Sequence, residues 1–348
     1  MSRSVLLVDW LGRGGIAHTT EAWALELGAR NYDVEIVTRP GRELGSGAHV
    51  TEARAARGRL HAHAAVVAAA RDRIRKRRPD WVIVQNYLVP ALEQRVFRAA
   101  RVAGSCVAVV VHNDQPHSRV TGTGARLRHN LAQADVLIAH SEFVAERVSR
   151  ATKREVVVVP LPLPIGLLAH DRHEPDWISE QVAGRSRWCV LFGTVNRHYK
   201  GTAIVEQMAA RQRDGWRFAV VGMGAGSYAD DNVVALDGYV EPGVLTGVVG
   251  ASDVTLAPYR HATQSAVVAL AHALGSVPIA TAVGGIPEQI TPDVDGILVP
   301  PGSDVNAWVA ALEHLADDEV RKDLARAGEL RVSAEHDAFV ARIMELLR

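Results

Sequence analysis

The stretch WCVLFGTVNRHYKGT, residues 188–202, begins a second series of apolar strands in the later half of the chain. Its first part is a near-continuous apolar run, which is typical of a strand buried on both faces of a parallel sheet. Its second part is a polar loop with Arg197, His198 and Lys200 just before a glycine. Cations beside a glycine at the mouth of a strand indicate either a solvated turn or a cradle for an anion.

Short apolar runs alternate with helix-length segments on both sides of this stretch. The first series extends from SVLLVDW (4–10) to EVVVVP (155–160), and the second from WCVLFG (188–193) to GILVP (296–300). Alternation of this kind predicts parallel sheets with helices on both faces. The predicted fold class is therefore α/β, with two Rossmann-like, doubly wound parallel-sheet domains facing a central cleft.

The chain has 348 residues, a length that fits two domains. The segment PLPLPIGLLAHDRHEPD (160–176) holds four prolines, which favour a stiff, extended connector. We therefore predict an N-terminal domain at 1–163 and a C-terminal domain at 164–335. The remaining residues, 336–348, form an amphipathic helix that could pack back on the N-terminal domain.

Composition excludes some classes of protein. Acidic and basic residues balance at 39 each, so the net charge gives no reason to expect a nucleic-acid partner. Cys106 and Cys189 lie in apolar runs and are predicted to be buried thiols, as in a reducing cytoplasm. The N-terminal apolar run is too short for a signal peptide or a membrane span.

The basic cluster RDRIRKRR (71–78) indicates the solvated end of a helix or, alternatively, a membrane-surface patch.

Ligands of open parallel sheets bind beyond the carboxyl ends of the strands, so the loops there are the places to search. The first loop follows a strand that ends at Asp9 or Trp10, and we expect the next helix to begin near Thr19. The loop carries Gly12, Gly14 and Gly15, which permit close backbone approach but lack the third glycine of the dinucleotide fingerprint. A later strand ends in His112, which could contact a sugar hydroxyl or hold a proton, or could be an ordinary loop histidine. With His117 it could instead bind a metal, but two histidines without a third ligand are weak evidence.

Three loops of the second half carry further candidate binding residues. Arg197 and Lys200 precede a predicted helix, so charged donors combine there with helix N–H groups. Ser265, after Gln264, has the position of a helix N-cap. Glu288 follows a glycine pair at the start of another helix, where an acid is favoured by the helix dipole or could accept from a ligand hydroxyl.

Together these loops resemble the glycosyltransferase family 4 group of nucleotide-sugar transferases, which have the GT-B fold. LFGTVNRHYKG (191–201) is similar to the phosphate loop F-G-x-I-R-x-Y-K-G, with one extra residue before the arginine. TQSAVVALAHALGSVPIATAVGGIPEQI (263–290) resembles the block S-G-v…A-x-G-x-P-V-I-A-T-x-V-G-G-x-P-E, with Val-Pro in place of Pro-Val. Weaker matches are GGIAHTTEAWALELGARNYDVEIVTR (14–39), VVVHNDQPH (109–117) and ADVLIAHSEFVAERV (134–148). The resemblance covers essentially the whole chain.

The resemblance implies a retaining transfer of sugar from a UDP-, GDP- or dTDP-sugar to a hydroxyl acceptor, without a metal or other cofactor. Arg197 and Lys200 would grip the donor diphosphate, and His112 would contact the transferred sugar. The predicted site has three catalytic residues (His112, Arg197 and Lys200), no metal ligand, and seven donor-binding residues: Gly14, Gly15, Gly193, Gly201, Gln264, Ser265 and Glu288.

One departure from the family concerns the two glutamates of its E-x7-E motif. An ungapped match anchored on Gly275 places those positions at Ala262 and Leu270, and leucine cannot hold ribose hydroxyls. A catalytically weak or non-catalytic sugar-nucleotide or glycan-binding relative is therefore an alternative, as is a GT-B-like sugar-nucleotide epimerase. Whether these two replacements alter donor choice or activity is left open.

The predicted acceptor is a small molecule, a glycan or a lipid-linked compound of carbohydrate or glycoconjugate biosynthesis, bound by the loops around 40–60 and 113–128. The expected location is the cytoplasm, with peripheral contact at the inner face of a membrane as an alternative. The oligomeric state, the donor sugar and base, and the acceptor cannot be read from the sequence.

Overall fold

The computed structural model describes residues 3–41, 49–85, 89–112, 130–174, 187–211, 215–228 and 232–348. The chain divides into two compact units. Met1–Gly166 and His336–Arg348 form the N-terminal unit, and Leu167–Glu335 forms the C-terminal unit. The whole of the predicted acceptor loop at 113–128, with His117, lies outside the described residues, as do residues 42–48 of the loop at 40–60.

The described part of the N-terminal unit is built on one parallel sheet. Its strands are β1 (Ser4–Asp9), β2 (Asp33–Thr38), β3 (His49–Glu52), β4 (Trp81–Gln85), β5 (Cys106–Val111), β6 (Val136–Ala139) and β7 (Val157–Val158). Its helices include α1 (Gly14–Gly28), α2 (Arg59–Arg77), α3 (Pro90–Ala103) and α4 (Glu142–Thr152). The seven strands are arranged in the order β3-β2-β1-β4-β5-β6-β7.

Alternate side chains of β1 enter two different apolar clusters. Leu6 and Val8 pack on the face covered by α2, α3 and α4. Val5 and Leu7 pack on the opposite face, together with Trp23 of α1. Since side chains alternate across a strand, a strand buried on both faces needs apolar residues at every position, as the run SVLLVDW has.

The C-terminal unit repeats this plan. Its strands are β8 (Arg187–Phe192), β9 (Trp216–Gly222), β10 (Val233–Asp237), β11 (Val254–Ala257), β12 (Val277–Thr281) and β13 (Ile297–Val299). A short helix, α5 (Ile165–Leu168), spans the boundary between the units, and the helices that follow are α6 (Ala203–Arg211), α7 (Pro242–Gly250), α8 (Ala266–Ala273), α9 (Ile286–Gln289), α10 (Val305–His314) and α11 (Asp318–Leu346). The six strands lie in the order β10-β9-β8-β11-β12-β13.

The last helix, α11, contributes to both cores. Leu324 belongs to the apolar cluster of the C-terminal unit. Phe339 and Ile343 are buried in a cluster of the N-terminal unit, where the ring of Phe339 meets Trp23 edge to face at 5.4 Å. Residues from 336 onward are therefore packed as part of the N-terminal unit.

Strand order reverses once in each sheet. In the N-terminal unit the reversal lies between β1 and β4, and in the C-terminal unit it lies between β8 and β11. The loops that leave two such strands diverge to opposite faces of the sheet, which opens a crevice at the carboxyl edge. The glycine loop after β1 and the cationic loop after β8 each follow a strand at such a reversal.

Two expectations from the sequence are wrong, and a third is only partly right. Cys106 is exposed, because it is the first residue of β5 and lies before the buried part of that strand. Helix α1 begins at Gly14 and not near Thr19, and Arg13 makes no side-chain cap there that the sequence could reveal. The 71–78 cluster lies at the end of a helix, as predicted, but two of its arginines are only partly exposed: Arg73 and Arg77 bind the buried carboxylate of Glu35 at 2.6 and 2.7 Å.

Burial alone would raise the pKa of Glu35, but hydrogen bonds from these two arginines and Thr51 lower it.

None of the helices in the described ranges combines the length and the apolar character that crossing a membrane requires.

Candidate active site

The loop after β8 is held in a defined conformation by its own backbone and by buried side chains. Gly193 has φ +110°, a conformation that favours glycine. Val195 is buried, and its carbonyl accepts a 2.6 Å hydrogen bond from the hydroxyl of Thr202. A single 3₁₀ turn, His198–Lys200, ends at Gly201 with φ +67°, and α6 follows. The loop therefore returns tightly to the sheet edge.

Gly201 is required by the neighbouring loop. A Cβ at this position would lie 1.9 Å from the carbonyl oxygen of Pro258, just after β11. No side chain fits at that distance, so the loops after β8 and β11 are in direct backbone contact. Gly201, which the resemblance places among the donor-binding residues, thus makes its close approach to the protein's own backbone.

Lys200 is buried at this point, with 9% of its surface exposed. Its Nζ donates a 3.0 Å hydrogen bond to the hydroxyl of Tyr259 and lies 4.3 Å from the centre of the same ring. Among the described residues no carboxylate lies within ion-pair distance of this ammonium group. A Cβ on Gly193 would lie 3.7 Å from Nζ, so the backbone at Gly193 passes close to the cation.

Arg197 and His198 differ from Lys200, because both are exposed. In the ranges that the structure describes, the guanidinium of Arg197 has no ion-pair partner. It is therefore a solvated cation on the same loop as the buried one.

Ser265 is the N-cap of α8, as predicted from the sequence. Its hydroxyl accepts hydrogen bonds from the backbone N–H groups of Val267 and Val268 and lies 3.4 Å from the Tyr259 hydroxyl. Its backbone is held by the amide of Gln289, which accepts from the Ser265 N–H at 2.7 Å and donates to its carbonyl at 3.1 Å. Gln264, one residue earlier, is half-buried, and its Oε1 makes no hydrogen bond within the described structure.

The loop after β12 carries Glu288. This residue is exposed in the first turn of α9, and its backbone carbonyl accepts from the guanidinium of Arg331. The N–H of Gly285 donates to the Thr263 carbonyl at 3.1 Å, which joins this loop to the segment before α8. Glu288 is thus on a loop next to Ser265, but its side chain is on the solvent side.

The two positions that correspond to the glutamates of the E-x7-E motif lie in apolar surroundings. Leu270 is buried in the cluster that contains Trp188 and Phe192. Ala262 is half-buried against a second cluster around Tyr259. Neither position supplies a polar group to a ligand.

In the N-terminal unit, the carboxylate of Asp9 fixes the turn after β1 by accepting from the Leu11 N–H at 2.8 Å. Gly14 then has φ +68°, and a Cβ there would have nothing within 4 Å. Gly15 lies in the first turn of α1, and its carbonyl accepts from the hydroxyl of Thr19 at 3.0 Å. Within the described ranges, the space that a side chain at Gly14 would enter is thus unfilled.

His112 directly follows β5 and is buried, with 6% of its surface exposed. Its Nε2 lies 3.0 Å from Oε1 of Gln85, the last residue of β4, and its ring centre lies 5.2 Å from that of His140. Burial, with a smaller effect of His140, holds the pKa of His112 well below its usual range. Because an amide oxygen only accepts, Nε2 of the neutral ring carries the hydrogen and Nδ1 is left as an acceptor.

His140 is held in the same neutral state. Its Nδ1 donates to the carbonyl of Val159 at 2.9 Å. Burial lowers the pKa of His140 to about 4, although hydrogen bonds to backbone carbonyls favour its charged form. The pair is therefore uncharged at neutral pH.

The structure brings several of the predicted residues together within one unit. Lys200 and Ser265 both contact Tyr259, Gly193 lies beside Lys200, and Gln289 joins Ser265 to the loop of Glu288. Arg197 shares the loop of Lys200 and is exposed. In the N-terminal unit, the glycine loop follows β1 and His112 follows β5, with β4 between them.

Sequence reasoning missed the residues that hold this arrangement: Tyr259, Gln289, Gln85 and His140. Gln85 and Tyr259 lie at or just beyond strand ends, and that position is the signal that could have found them.

Family models match both halves of the chain. Residues 13–165 match the model described as Glycosyltransferase Family 4, and residues 186–318 match the model described as Glycosyl transferases group 1. No curated protein sequence gives a significant match.

Solved structures share the fold over nearly the whole chain. Sucrose-phosphate synthase from Thermosynechococcus elongatus has a TM-score of 0.78 at 18% identity, with 99% of this chain and 98% of that chain covered. HepE from Anabaena, solved with UDP and glucose, has a TM-score of 0.75 at 17% identity, with 99% of both chains covered. A glycosyltransferase from Rickettsia africae has a TM-score of 0.75 at 14% identity, with 99% and 98% covered.

At these identities the similarity to solved structures establishes the two-domain α/β fold, and the family models establish the kind of enzyme. The chain belongs to the family 4 glycosyltransferases and has the GT-B fold.

Proposed function

We propose that this glycosyltransferase moves a sugar from a nucleoside-diphosphate sugar to a hydroxyl group of its acceptor, with retention of configuration and without a metal ion. The observation that carries the proposal is the Lys200 ammonium, which is buried at the strand reversal of the C-terminal sheet and has no carboxylate partner among the residues that the structure describes. A buried cation of this kind is stabilised when an anion binds it, because an unpaired charge that is removed from water raises the free energy of the protein.

The diphosphate is the group that Lys200 and Arg197 suit. Negative charge grows on the diphosphate as its bond to the anomeric carbon of the sugar breaks. Donors that are already oriented stabilise this charge without reorganisation, and the exposed guanidinium of Arg197 can add a bidentate contact to phosphate oxygens. Gly193 leaves room for phosphate beside Nζ, because it has no side chain there.

For retention, the acceptor oxygen attacks the anomeric carbon on the face from which the diphosphate departs. The new bond joins the acceptor oxygen to that carbon, and the acceptor proton passes to an oxygen of the departing diphosphate. This front-side route needs no enzyme nucleophile. We assign His112 to the transferred sugar, where its neutral Nδ1 accepts from a sugar hydroxyl.

The proposal includes several classes of donor. UDP-, GDP- and dTDP-sugars all carry the diphosphate that Lys200 would bind. HepE, which shares the fold, was solved with UDP and glucose, so UDP-glucose is the first donor to test. Leu270 and Ala262 supply no polar group, and we therefore assign recognition of the donor ribose to other residues than the E-x7-E positions.

For the acceptor, we propose a small molecule, glycan or lipid-linked compound, reached from the cytoplasm. The acceptor proposal includes contact of the protein with the inner face of a membrane. The exposed cations of α2 and α3 support this contact. Arg75, Lys76 and Arg98 are exposed there, and Val102 is exposed to 80%. Co-sedimentation with phosphatidylglycerol vesicles, compared with phosphatidylcholine vesicles, tests this contact.

A thermal-shift screen of UDP-, GDP- and dTDP-sugars tests the donor, because a ligand of the native state alone raises the melting temperature. The best donor is then incubated with candidate acceptors, and nucleotide release and product are measured. Release that depends on an acceptor, with a product of retained configuration, supports the proposal. Binding without transfer or hydrolysis would favour a non-catalytic protein, and epimerised donor without release would favour an epimerase.

A further inference from the structure

Tyr259 has no role in the proposed chemistry so far, yet it touches two residues of the candidate site. It lies two residues beyond β11 and is buried, with 4% of its surface exposed. Its ring belongs to a small apolar cluster with Val268 and Ile286, which fixes the ring plane. Its hydroxyl is the group that reaches the loop after β8.

The contact between Tyr259 and Lys200 has two parts. Nζ donates to the phenol oxygen at 3.0 Å, and it also lies 4.3 Å from the ring centre, within the range of a cation–π interaction. A second ring, that of Tyr199, lies farther from the ammonium, at 5.9 Å. Tyr259 thus supplies the nearest described partner of this cation, and the partner is uncharged.

An uncharged partner has a specific consequence for binding. A carboxylate at this position would neutralise Lys200 and compete with any incoming anion. A phenol and its ring hold the ammonium in place while leaving its full charge available. Tyr259 takes one of the three Nζ hydrogens, and no other group in the described part of the chain accepts from Nζ, so two hydrogens are left for a ligand.

The phenol itself is oriented by Ser265. The Ser265 hydroxyl accepts from two backbone N–H groups of α8, so its own hydrogen is available for the Tyr259 oxygen at 3.4 Å. The Ser265 backbone is in turn held by Gln289. The chain Gln289–Ser265–Tyr259–Lys200 therefore connects loops that follow three neighbouring strands, β8, β11 and β12.

We propose that Tyr259 is a positioning residue for Lys200: it orients the ammonium before a diphosphate arrives, without cancelling its charge. A lysine side chain has several rotatable bonds, and fixing it in advance removes part of the ordering cost of binding. The effect is larger in the transition state, where charge on the diphosphate is greatest. This inference rests on the proposed function of Lys200.

The test is a double-mutant cycle with Lys200→Ala, Tyr259→Phe and the double variant. Tyr259→Phe removes the hydroxyl and keeps the ring, so the fold is expected to survive. Affinity for UDP, GDP and dTDP is measured by calorimetry, and kcat and KM are measured with the best donor. Tyr32→Phe in the N-terminal unit, which packs at the edge of its core, is the matched control.

We expect Lys200→Ala to weaken binding of the best nucleotide about 100-fold and Tyr259→Phe to weaken it about 10-fold. In the Lys200→Ala background, Tyr259→Phe is expected to change affinity less than twofold, because it acts through the lysine. Tyr259→Phe alone should lower kcat more than it raises KM. Tyr32→Phe should change neither.

The outcomes separate the two claims. If Lys200→Ala leaves both affinity and rate unchanged, the proposed phosphate role of Lys200 fails, and the positioning role fails with it. If Lys200→Ala weakens binding but the effect of Tyr259→Phe is the same in both backgrounds, only the positioning role is overturned.

Discussion

Nε2 of His112 lies 3.0 Å from Oε1 of Gln85. Gln85 is the last residue of β4, and His112 is the first residue after the neighbouring strand β5, so the end of β4 orients the histidine that follows β5. The register of the sheet brings this about, because Gln85 pairs with Val110 of the adjacent strand. The contact leaves Nδ1 of a neutral His112 as the acceptor that would face a sugar hydroxyl.

Gln85→Glu should convert His112 into a titrating group. A carboxylate beside the ring favours the imidazolium and raises the pKa of His112 from its present low value. The charged ring has no acceptor nitrogen. At pH values below the new pKa of His112, we therefore expect kcat to be about 10-fold lower than at higher pH. The pH–rate profile between pH 5.5 and 8 is the measurement.

The control for this change is Gln207→Glu, which adds the same charge on an exposed position of α6. A Gln85→Glu profile that overlays both the wild type and this control would show that Gln85 does not set the state of His112.

His140→Asn should flatten the acid dependence of stability. The pKa of His140 is about 4 in the folded protein, against an ordinary value of 6.5. The unfolded chain therefore binds more protons than the folded one between these values, and stability is lost as the pH falls through this window. At pH 5 the loss from this one group is about 2 kcal/mol relative to pH 7.5.

Asparagine can still donate to the Val159 carbonyl but cannot titrate. Urea unfolding at pH 7.5 and pH 5 gives the free energy of unfolding for both proteins. Equal losses in the wild type and the variant would contradict the neutral, buried state of His140.

Gly201→Ala should disrupt the loop after β8 far more than Gly302→Ala disrupts its own turn. Both glycines have positive φ, +67° and +81°, so both substitutions carry the same kind of backbone strain. Only at Gly201 would the Cβ meet backbone, 1.9 Å from the Pro258 oxygen, whereas nothing lies within 4 Å at Gly302. We expect Gly201→Ala to cost about 2 kcal/mol more in stability and to abolish measurable nucleotide binding.

Melting temperature and nucleotide affinity are compared for the two variants. If they are equally stable and bind equally well, the two loops are not in the close contact described.

Transfer should continue in EDTA. The proposed charge stabilisation comes from Lys200 and Arg197, so chelation removes none of it. Initial rates are measured with and without EDTA and after addition of Mg²⁺ or Mn²⁺. Loss of activity in EDTA that either metal restores would overturn the metal-free proposal.

The strand pattern was readable from the sequence because burial on both faces requires apolar residues at successive positions. WCVLFG illustrates this, since β8 covers most of it and all but the first residue of β8 are buried. The Ser265 cap was also predictable, because a cap depends on residues two and three positions away.

The partners of the predicted residues were not predictable in the same way. Tyr259 is 59 residues from Lys200, and Gln85 is 27 residues from His112, so both contacts depend on the order of strands in the sheets. The start of α1 was missed because Arg13 provides no capping side chain. The contacts of Arg73 and Arg77 with Glu35 could not be predicted from the basic cluster alone, because the acid lies on a strand far away along the chain.

The most direct test of the central claim, that the loop Gly193–Gly201 binds the donor diphosphate, is kcat/KM of Lys200→Ala with the best donor. Lys322→Ala, which removes an exposed lysine of the same unit, is the control. We predict a fall of about 10²–10³ for Lys200→Ala, with the melting temperature retained, and no change for the control. A Lys200→Ala enzyme with the kcat/KM of the wild type would contradict the account.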